Sequence, residues 1–176
     1  MGDSLSVIFA TIVAAIIMFL FPMLDTWERQ DDLSYMAAYT AVVDMVDAVR
    51  NTGRLTEDMY SDLVSAITTT GNRFKVQMEH REYVIVPKGV PNADGSYNDY
   101  EMVYITHYTD DILAYLTNPS SGEYTEFNKG DFFYVSIKNT NKTQATMMKQ
   151  NLYGTRMETF KIGVPYGGQI KNEYSR

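Results

Sequence analysis

The feature that most constrains this chain is an uncharged apolar run that covers residues 4–24. From residue 5 onward, only Ser6, Thr11 and Pro22 in that run are not apolar. A helix needs about 20 apolar residues to cross the hydrocarbon core of a bilayer, which is roughly 30 Å thick. An amphipathic surface helix would keep one polar face, and this run has none. The run must therefore lie in lipid or be surrounded by other protein.

A cleaved secretory signal is the main alternative for this run. Such a signal has a basic start, a shorter apolar stretch and a small-residue cleavage site. Here no Lys or Arg precedes the run, and Phe21-Pro22-Met23-Leu24 is a poor cleavage site. We therefore expect a membrane-inserted helix. The acidic flank at residues 25–32 favours a head outside the cytoplasm, and Trp27 fits an interfacial anchor.

The sequence predicts that the helix continues beyond the apolar run as an amphipathic segment over residues 33–51. One apolar stripe recurs at helical spacing and consists of Tyr35, Ala38, Tyr39, Val42, Met45, Val46 and Val49. Asn51-Thr52-Gly53 is a helix stop, so the region 1–52 is predicted to contain one helix of about 47 residues, roughly 70 Å long at 1.5 Å per residue. Because proline lacks an N–H, a kink or short unwound stretch is expected around Phe19–Pro22.

Residues 53–176 are predicted to form a small globular head with an antiparallel β-sheet, which makes the fold class α+β. Thr56 is expected to cap a helix that ends before Gly71, and Lys142–Leu152 to form a helix that stops at Gly154. A short helix is expected at Asp110–Leu116. Strands are expected at Phe74–His80, Tyr83–Pro87, Glu101–Tyr108, Phe132–Lys138 and Arg156–Val164, with a polar tail after Pro165-Tyr166-Gly167-Gly168.

This sequence contains few residues in patterns that could form a catalytic site. The absence of cysteine excludes disulfides, thiol nucleophiles and zinc–cysteine sites. Of the two histidines, His80 is predicted to lie at a solvated strand end and His107 to be packed in a strand face. The hydroxyl residues have no histidine near them in sequence to build a triad, and Gly167-Gly168 lacks the lysine of a phosphate loop. We therefore expect no enzyme activity, no cofactor and no metal site.

The net charge and two short motifs limit the possible ligands. A net charge of -7 repels phosphate backbones, so nucleic-acid binding is not expected. Residues 92–101 are rich in oxygen ligands and fit either a Ca²⁺ loop or a hairpin turn, of which the turn is favoured. Asn141-Lys142-Thr143 matches an N-glycosylation triplet or the start of a helix, and the helix start is favoured.

The N-terminal architecture resembles that of type IV pilins and pilin-like subunits. The residues that carry the resemblance are the apolar run Leu5–Leu24 with its proline at Pro22, followed by the amphipathic segment Tyr35–Val49. In the head, Gly130-Asp131-Phe132-Phe133-Tyr134-Val135 is similar to pilin-like proteins of Gram-positive bacteria encoded with Tad-type or conjugation genes. Family members usually carry a glutamate a few residues into the mature helix, where this chain has Leu5.

The resemblance implies a subunit that waits in the cytoplasmic membrane and is extracted by a pilus assembly machinery into a helical homo-oligomer. Its apolar helices would then form the filament core, with the heads outward at the cell surface. Asp3 is the sole acid at the start of the helix, and we hypothesise that it pairs with the terminal amine of an adjacent subunit. The residues expected at the assembly interface are Asp3, Leu5, Ile8, Phe9, Ile12, Ile16, Phe19, Pro22 and Trp27.

Two functions remain open from the sequence. The first is a structural, self-assembling filament subunit with a role such as adhesion or transfer. The second is a single-pass membrane protein whose external head binds a partner in a secretion or conjugation complex. Both share the same sequence features, and they differ in whether surface material from the cell forms long fibres.

Overall fold

The long N-terminal helix predicted from the sequence is present as one element. The computed structural model describes residues 2–92, 95–117, 127–154, 156 and 162–171, the side chains of residues 2 and 3 excepted. Helix α1 covers Gly2–Thr52, which corresponds to about 76 Å at 1.5 Å per residue. It ends where Gly53 adopts a φ of 67° and donates its N–H to the carbonyl of Val49. Glycine tolerates this left-handed conformation because it has no Cβ, so the predicted helix stop is confirmed.

Pro22 lies inside α1 without interrupting it. The helix is assigned without a break from Gly2 to Thr52, so the unwound stretch expected around Phe19–Pro22 is absent. Proline removes only its own N–H from the helical hydrogen-bond pattern, and the turns on both sides can continue. The hydroxyl of Thr26, one turn further along, donates a hydrogen bond of 2.9 Å to the carbonyl oxygen of Pro22.

The remaining elements confirm an α+β head with one antiparallel sheet. Its strands stand in the order β2-β1-β3-β4, and each neighbouring pair is antiparallel. Thr56 caps the first head helix, and Gly154 ends the last one in the left-handed conformation, as predicted. The elements are α2 (Glu57–Thr68), β1 (Phe74–Lys88), β2 (Asp99–Tyr108), α3 (Thr109–Thr117), β3 (Phe132–Asn139), α4 (Gln144–Tyr153) and β4 (Gly163–Gln169).

The segments Phe74–His80 and Tyr83–Pro87 are both strand, as predicted, but the break expected between them is wrong, because they form the single strand β1. Its first part pairs with β3 from Phe74 to Arg81, and its second part pairs with β2 from Glu79 to Lys88. Of the two polar residues between the predicted strands, Arg81 belongs to this overlap and Glu82 pairs with β2 alone. The hairpin interpretation of residues 92–101 is confirmed in outline, because β1 and the antiparallel β2, which begins at Asp99, are joined by the loop at residues 89–98.

The last strand lies later in the chain than the sequence predicts. Residues 157–161 of the predicted strand lie outside the described residues, and β4 runs instead over Gly163–Gln169, which includes the stretch expected to precede a polar tail. Pro165 is tolerated because β4 is an edge strand of the sheet. A Cβ at Gly167 would clash with the ring of Tyr134 on the neighbouring strand, so this close approach requires glycine.

The core lies between the second half of α1 and the sheet. Of the predicted stripe, Tyr35 and Tyr39 are 43% and 45% exposed, and the buried stripe continues instead through the polar residues Asp31 and Ser34. The ring of Tyr39 contacts the edge of Tyr166 on β4. The apolar residues that fill the core are Ala38, Val42, Met45, Val46 and Val49 of α1, with Leu63, Ile67, Met78, Ile112, Phe133, Val135, Ile137 and Val164 of the head.

Hydrogen bonds at both ends fix the sheet along α1. At the end of β3 that leads into α4, Thr143 donates its hydroxyl to Asp31 of α1. At the opposite end of the sheet, Arg50 donates to the carbonyl of Gln169, and Lys171 donates its backbone N–H to the carbonyl of Arg50. The sheet therefore runs alongside α1 from the level of Asp31 to the level of Arg50.

Candidate assembly surface

The apolar first half of α1 is not covered by the described part of the head. This helix is long and apolar enough to cross a membrane, as judged by length and composition. The side chain of Phe9 is 70% exposed, and that of Phe19 is 76% exposed. A contiguous exposed apolar surface of this extent marks a site of contact with lipid or with other protein. The surface on which the proposed assembly depends is therefore present and accessible on the single chain.

The seven predicted interface residues from Leu5 to Pro22 lie on one stripe of this segment. Apart from the adjacent pair Ile8 and Phe9, they follow each other at spacings of three and four, which places them on one side of a helix. The opposite side carries Ala10, Ala14, Ile17 and Phe21, so the segment is apolar around its whole circumference. The exposed members of the predicted set are Leu5, Ile8, Phe9, Ile12, Ile16, Phe19 and Pro22.

Asp3 and Trp27 stand apart from that stripe. The side chain of Asp3 lies outside the described side chains, so its pairing with a neighbouring subunit stays a prediction. Trp27 is half-buried and lines a cavity of about 170 Å³ between α1 and the head, with Asn72 and Lys142 among the other lining residues. Its role as an interfacial anchor stays a prediction as well, and its place in the structure is at the joint between helix and head.

This joint between helix and head rests on polar groups that the sequence analysis did not identify. The buried carboxylate of Asp31 accepts a hydrogen bond of 2.8 Å from the hydroxyl of Thr143, which is the N-cap of α4. Glu28, one turn earlier on α1, forms an ion pair with Lys149 of α4. The triplet Asn141-Lys142-Thr143 thus opens α4, as the favoured interpretation predicted. An acidic group near a helix N-terminus is also favourable for the helix dipole.

Replacing Asp31 with alanine is expected to weaken the attachment of α4 to α1. The hydroxyl of Thr143 would lose a buried, charge-assisted acceptor, which costs about 1–3 kcal/mol. Trp27 is the only tryptophan in the chain, so its fluorescence reports on this joint. We expect a red shift of that emission in Asp31→Ala and an unchanged emission in Asp32→Ala, because Asp32 is exposed. Equal spectra for the two variants would contradict the assigned role of Asp31.

His80 is buried, which corrects the prediction of a solvated strand end. Only 2% of His80 is exposed, and its Nε2 lies 3.1 Å from a carboxylate oxygen of the fully buried Asp131. That carboxylate also accepts backbone N–H groups from Tyr83 and Asn128, each at 2.8 Å. The ring of His107 stacks over His80 with centroids 5.9 Å apart and is partly buried, as its predicted packing requires. This arrangement fastens the segment before β3 to β1.

The stability of the head is expected to fall as the pH drops below about 6.5. Burial lowers the pKa of His80, while the hydrogen bond and charge of Asp131 and the charge of Glu82 oppose this change and the charge of His107 adds to it. Below about pH 6.5 the unfolded chain therefore binds a proton that the folded chain does not bind. The free energy of unfolding then decreases by up to about 1.4 kcal/mol per pH unit.

Urea unfolding of the detergent-solubilised chain at pH 7.5 and pH 5.5 measures this effect. Variant His80→Gln keeps a hydrogen-bond donor toward Asp131 and removes the titration, so it should lose most of the pH dependence. Variant His107→Gln serves as the control, because it removes the more exposed histidine of the pair. A pH dependence that survives in His80→Gln would show that another group is responsible.

Comparison of the chain with protein-family models, with curated proteins and with solved structures finds no match.

Proposed function

We propose that this chain is a structural, non-catalytic subunit of a pilus-like filament on the cell surface. The apolar half of α1 would hold the subunit in the cytoplasmic membrane until a pilus assembly machinery extracts it. After extraction, the same surface would pack against the helices of neighbouring subunits in the filament core. The heads would then face outward.

The observation that carries the proposal is the division of α1 into an uncovered apolar half and a docked half. Most residues of the apolar run are exposed, whereas the described residues of the head lie against α1 from about Trp27 onward. Burying apolar surface is worth about 25 cal/mol per Å² relative to water. If the subunit leaves the membrane, the apolar run therefore has to be covered by other protein, because exposing it to water would be too costly.

The docked half of α1 gives this proposal a mechanical basis. Bonds at Asp31 and at Arg50 fasten the head to the helix at both ends of the sheet. The core between them is continuous along α1. A pull on the head is thus transmitted to the apolar run, and the packing of the helices fixes where each head lies on the surface of the filament.

Electron microscopy of material sheared from cells that express the chain is the direct test. Long fibres that contain the chain, with the mature N-terminus determined by mass spectrometry, would support the filament subunit. The chain confined to the membrane fraction, with no fibres on the cells, would reject this proposal and favour a membrane-anchored head that binds a partner in a secretion or conjugation complex.

A further inference from the structure

Strand β1 has one edge that β2 covers only in part. Strand β2 pairs with β1 only from Glu79 onward, whereas β3 pairs with the other edge of β1 from Phe74. The chain leaves the sheet after Tyr108, where α3 begins. Within the described residues, no strand therefore lies beside residues 74–78 on the β2 side. We call this stretch of β1 the open edge.

Two sets of hydrogen bonds show which backbone groups point toward the open edge. The hydroxyl of Thr109, which directly follows β2, accepts the N–H of Met78 at 2.8 Å and donates to its carbonyl at 3.2 Å. On the opposite side, Asp131, which directly precedes β3, accepts the N–H of Tyr83. Neighbouring residues of a strand direct their N–H and C=O groups to alternate sides. Val76 therefore directs both groups to the same side as Met78, toward the open edge.

The N–H and C=O of Val76 have no hydrogen-bond partner in the part of the chain that the structure describes. Val76 lies opposite Ile137 of β3, at a position where the two residues do not exchange hydrogen bonds. No turn or loop group of the described residues bonds to Val76 either. Phe74, two residues earlier, has the same orientation. An extended chain offers donors and acceptors at the spacing of these groups, so the open edge has the chemistry of a strand-binding site.

A cavity of about 490 Å³ beside the open edge gives room for such a chain. It is lined by Val76 and Met78 of β1, and by Tyr108, Thr109 and Asp110 where β2 passes into α3. Sites that hold small ligands and short segments have volumes of about 300–1,000 Å³. Because Thr109 is bonded to Met78, it closes one end of the open edge. The cavity therefore fits a short free segment rather than the long edge of a second folded sheet.

Side chains of opposite charge line the same cavity. Lys75 is exposed on β1, and Asp110 is exposed at the start of α3. Neither of them forms an ion pair with another described residue. A segment that carries an acidic residue near Lys75 and a basic residue near Asp110 would complement both charges. Charge complementarity of this kind fixes the direction and register in which a partner binds.

We propose that the open edge binds a short extended segment of another protein, which carries both an acidic and a basic residue and adds to the sheet beside β1. The segment exchanges backbone hydrogen bonds with Val76 and Phe74, in the way that β2 pairs with β1 further along. These main-chain bonds supply affinity, and the charges of Lys75 and Asp110 supply selectivity. The inference does not depend on the proposed filament function, because the site belongs to the head of a single chain.

Hydrogen exchange of the full chain in detergent, resolved by NMR, tests the open edge without a ligand. The amide of Val76 is expected to exchange about tenfold faster, or more, than that of Gln77, which points to β3 and is hydrogen-bonded there. Equal protection of the two amides would mean that the edge is already covered, which would overturn the proposal. Protection of Val76 that appears only in assembled chains would assign the edge to a second copy and would also overturn it.

Short peptides selected from a phage-displayed random library on the full chain in detergent are the binding probe. Their affinity is measured by fluorescence anisotropy. Val76→Pro removes the N–H that faces the cavity, and we expect it to weaken binding about tenfold, because a hydrogen bond is worth about 1.5 kcal/mol. Val76→Ile is the matched control, since it keeps the N–H and an apolar side chain, and it should bind as the native chain does.

N-methylation of the selected peptide gives a readout that leaves the protein unchanged, so it holds even if Val76→Pro fails to fold. An added strand directs every second N–H toward β1. Methyl groups on those amides should abolish binding, and methyl groups on the amides between them should be tolerated. A loss of binding without this alternation, or a library that yields no peptide able to protect the Val76 amide from exchange, would overturn the proposal.

Discussion

Replacing Ile12 and Ile16 together with aspartate is expected to abolish both membrane insertion and filament formation. Both side chains are more than half exposed on the apolar run, so they face lipid or neighbouring subunits rather than the head. An aspartate at the centre of a membrane helix costs about 2.5–3.5 kcal/mol, and two of them together cost about 6 kcal/mol. Such a change lowers an insertion equilibrium by roughly four orders of magnitude.

The head of this variant is expected to stay folded, because neither residue belongs to the core between α1 and the sheet. Fractionation of cells measures insertion, and electron microscopy measures filaments. Ile12→Val with Ile16→Val is the matched control, since it keeps the surface apolar and should retain both properties. Normal fibres from the aspartate variant would mean that the apolar run is not in the filament core.

Local signals made most of the helices predictable from the sequence. The apolar run and the stripe of α1 repeat at helical spacing, and Gly53 and Gly154 end helices in conformations that glycine adopts most easily. Thr56 accepts the N–H of Met59 as an N-cap does. Strand β3 alternates between buried and exposed positions as its sequence predicts. Each of these signals lies within a few residues of the element that it defines.

The errors fall where partners distant in sequence decide the structure. Arg81 and its neighbours have the sequence of a break between two strands. His80 beside them is nevertheless buried, because Asp131, which is distant in sequence, provides a hydrogen-bond partner for its ring. Gly167 by itself suggests a turn. It lies in a strand, where glycine is required because a Cβ would clash with the ring of Tyr134 on the neighbouring strand.

The buried stripe of α1 shows the same dependence on distant partners. Tyr39 has the spacing of a core residue, but it lies at the margin of the core, where its ring contacts Tyr166. Asp31 has the character of a surface residue and is buried, because Thr143 supplies its hydrogen bond. The exposure of the β1–β2 hairpin beyond Arg81 was not predicted for a related reason, since it depends on where β3 stops pairing with β1.

Replacing Asp131 with alanine is expected to destabilise the head more than Asp31→Ala does. The carboxylate is fully buried and has His80 and the backbone N–H groups of Tyr83 and Asn128 as partners. Removing one partner from such a buried, hydrogen-bonded arrangement costs about 3–5 kcal/mol, because the remaining donors lose their acceptor without regaining water. A midpoint lower by about 10 °C is expected in thermal unfolding.

Two further variants separate the causes of this loss. Asp131→Asn keeps one carbonyl oxygen as an acceptor but loses the charge, so its stability should lie between those of the native chain and Asp131→Ala. Asp111→Ala is the matched control, because Asp111 is exposed and accepts a single backbone N–H from Tyr108. Its cost should stay below about 1 kcal/mol. A similar small cost for Asp131→Ala would mean that the segment before β3 is held by its apolar contacts alone.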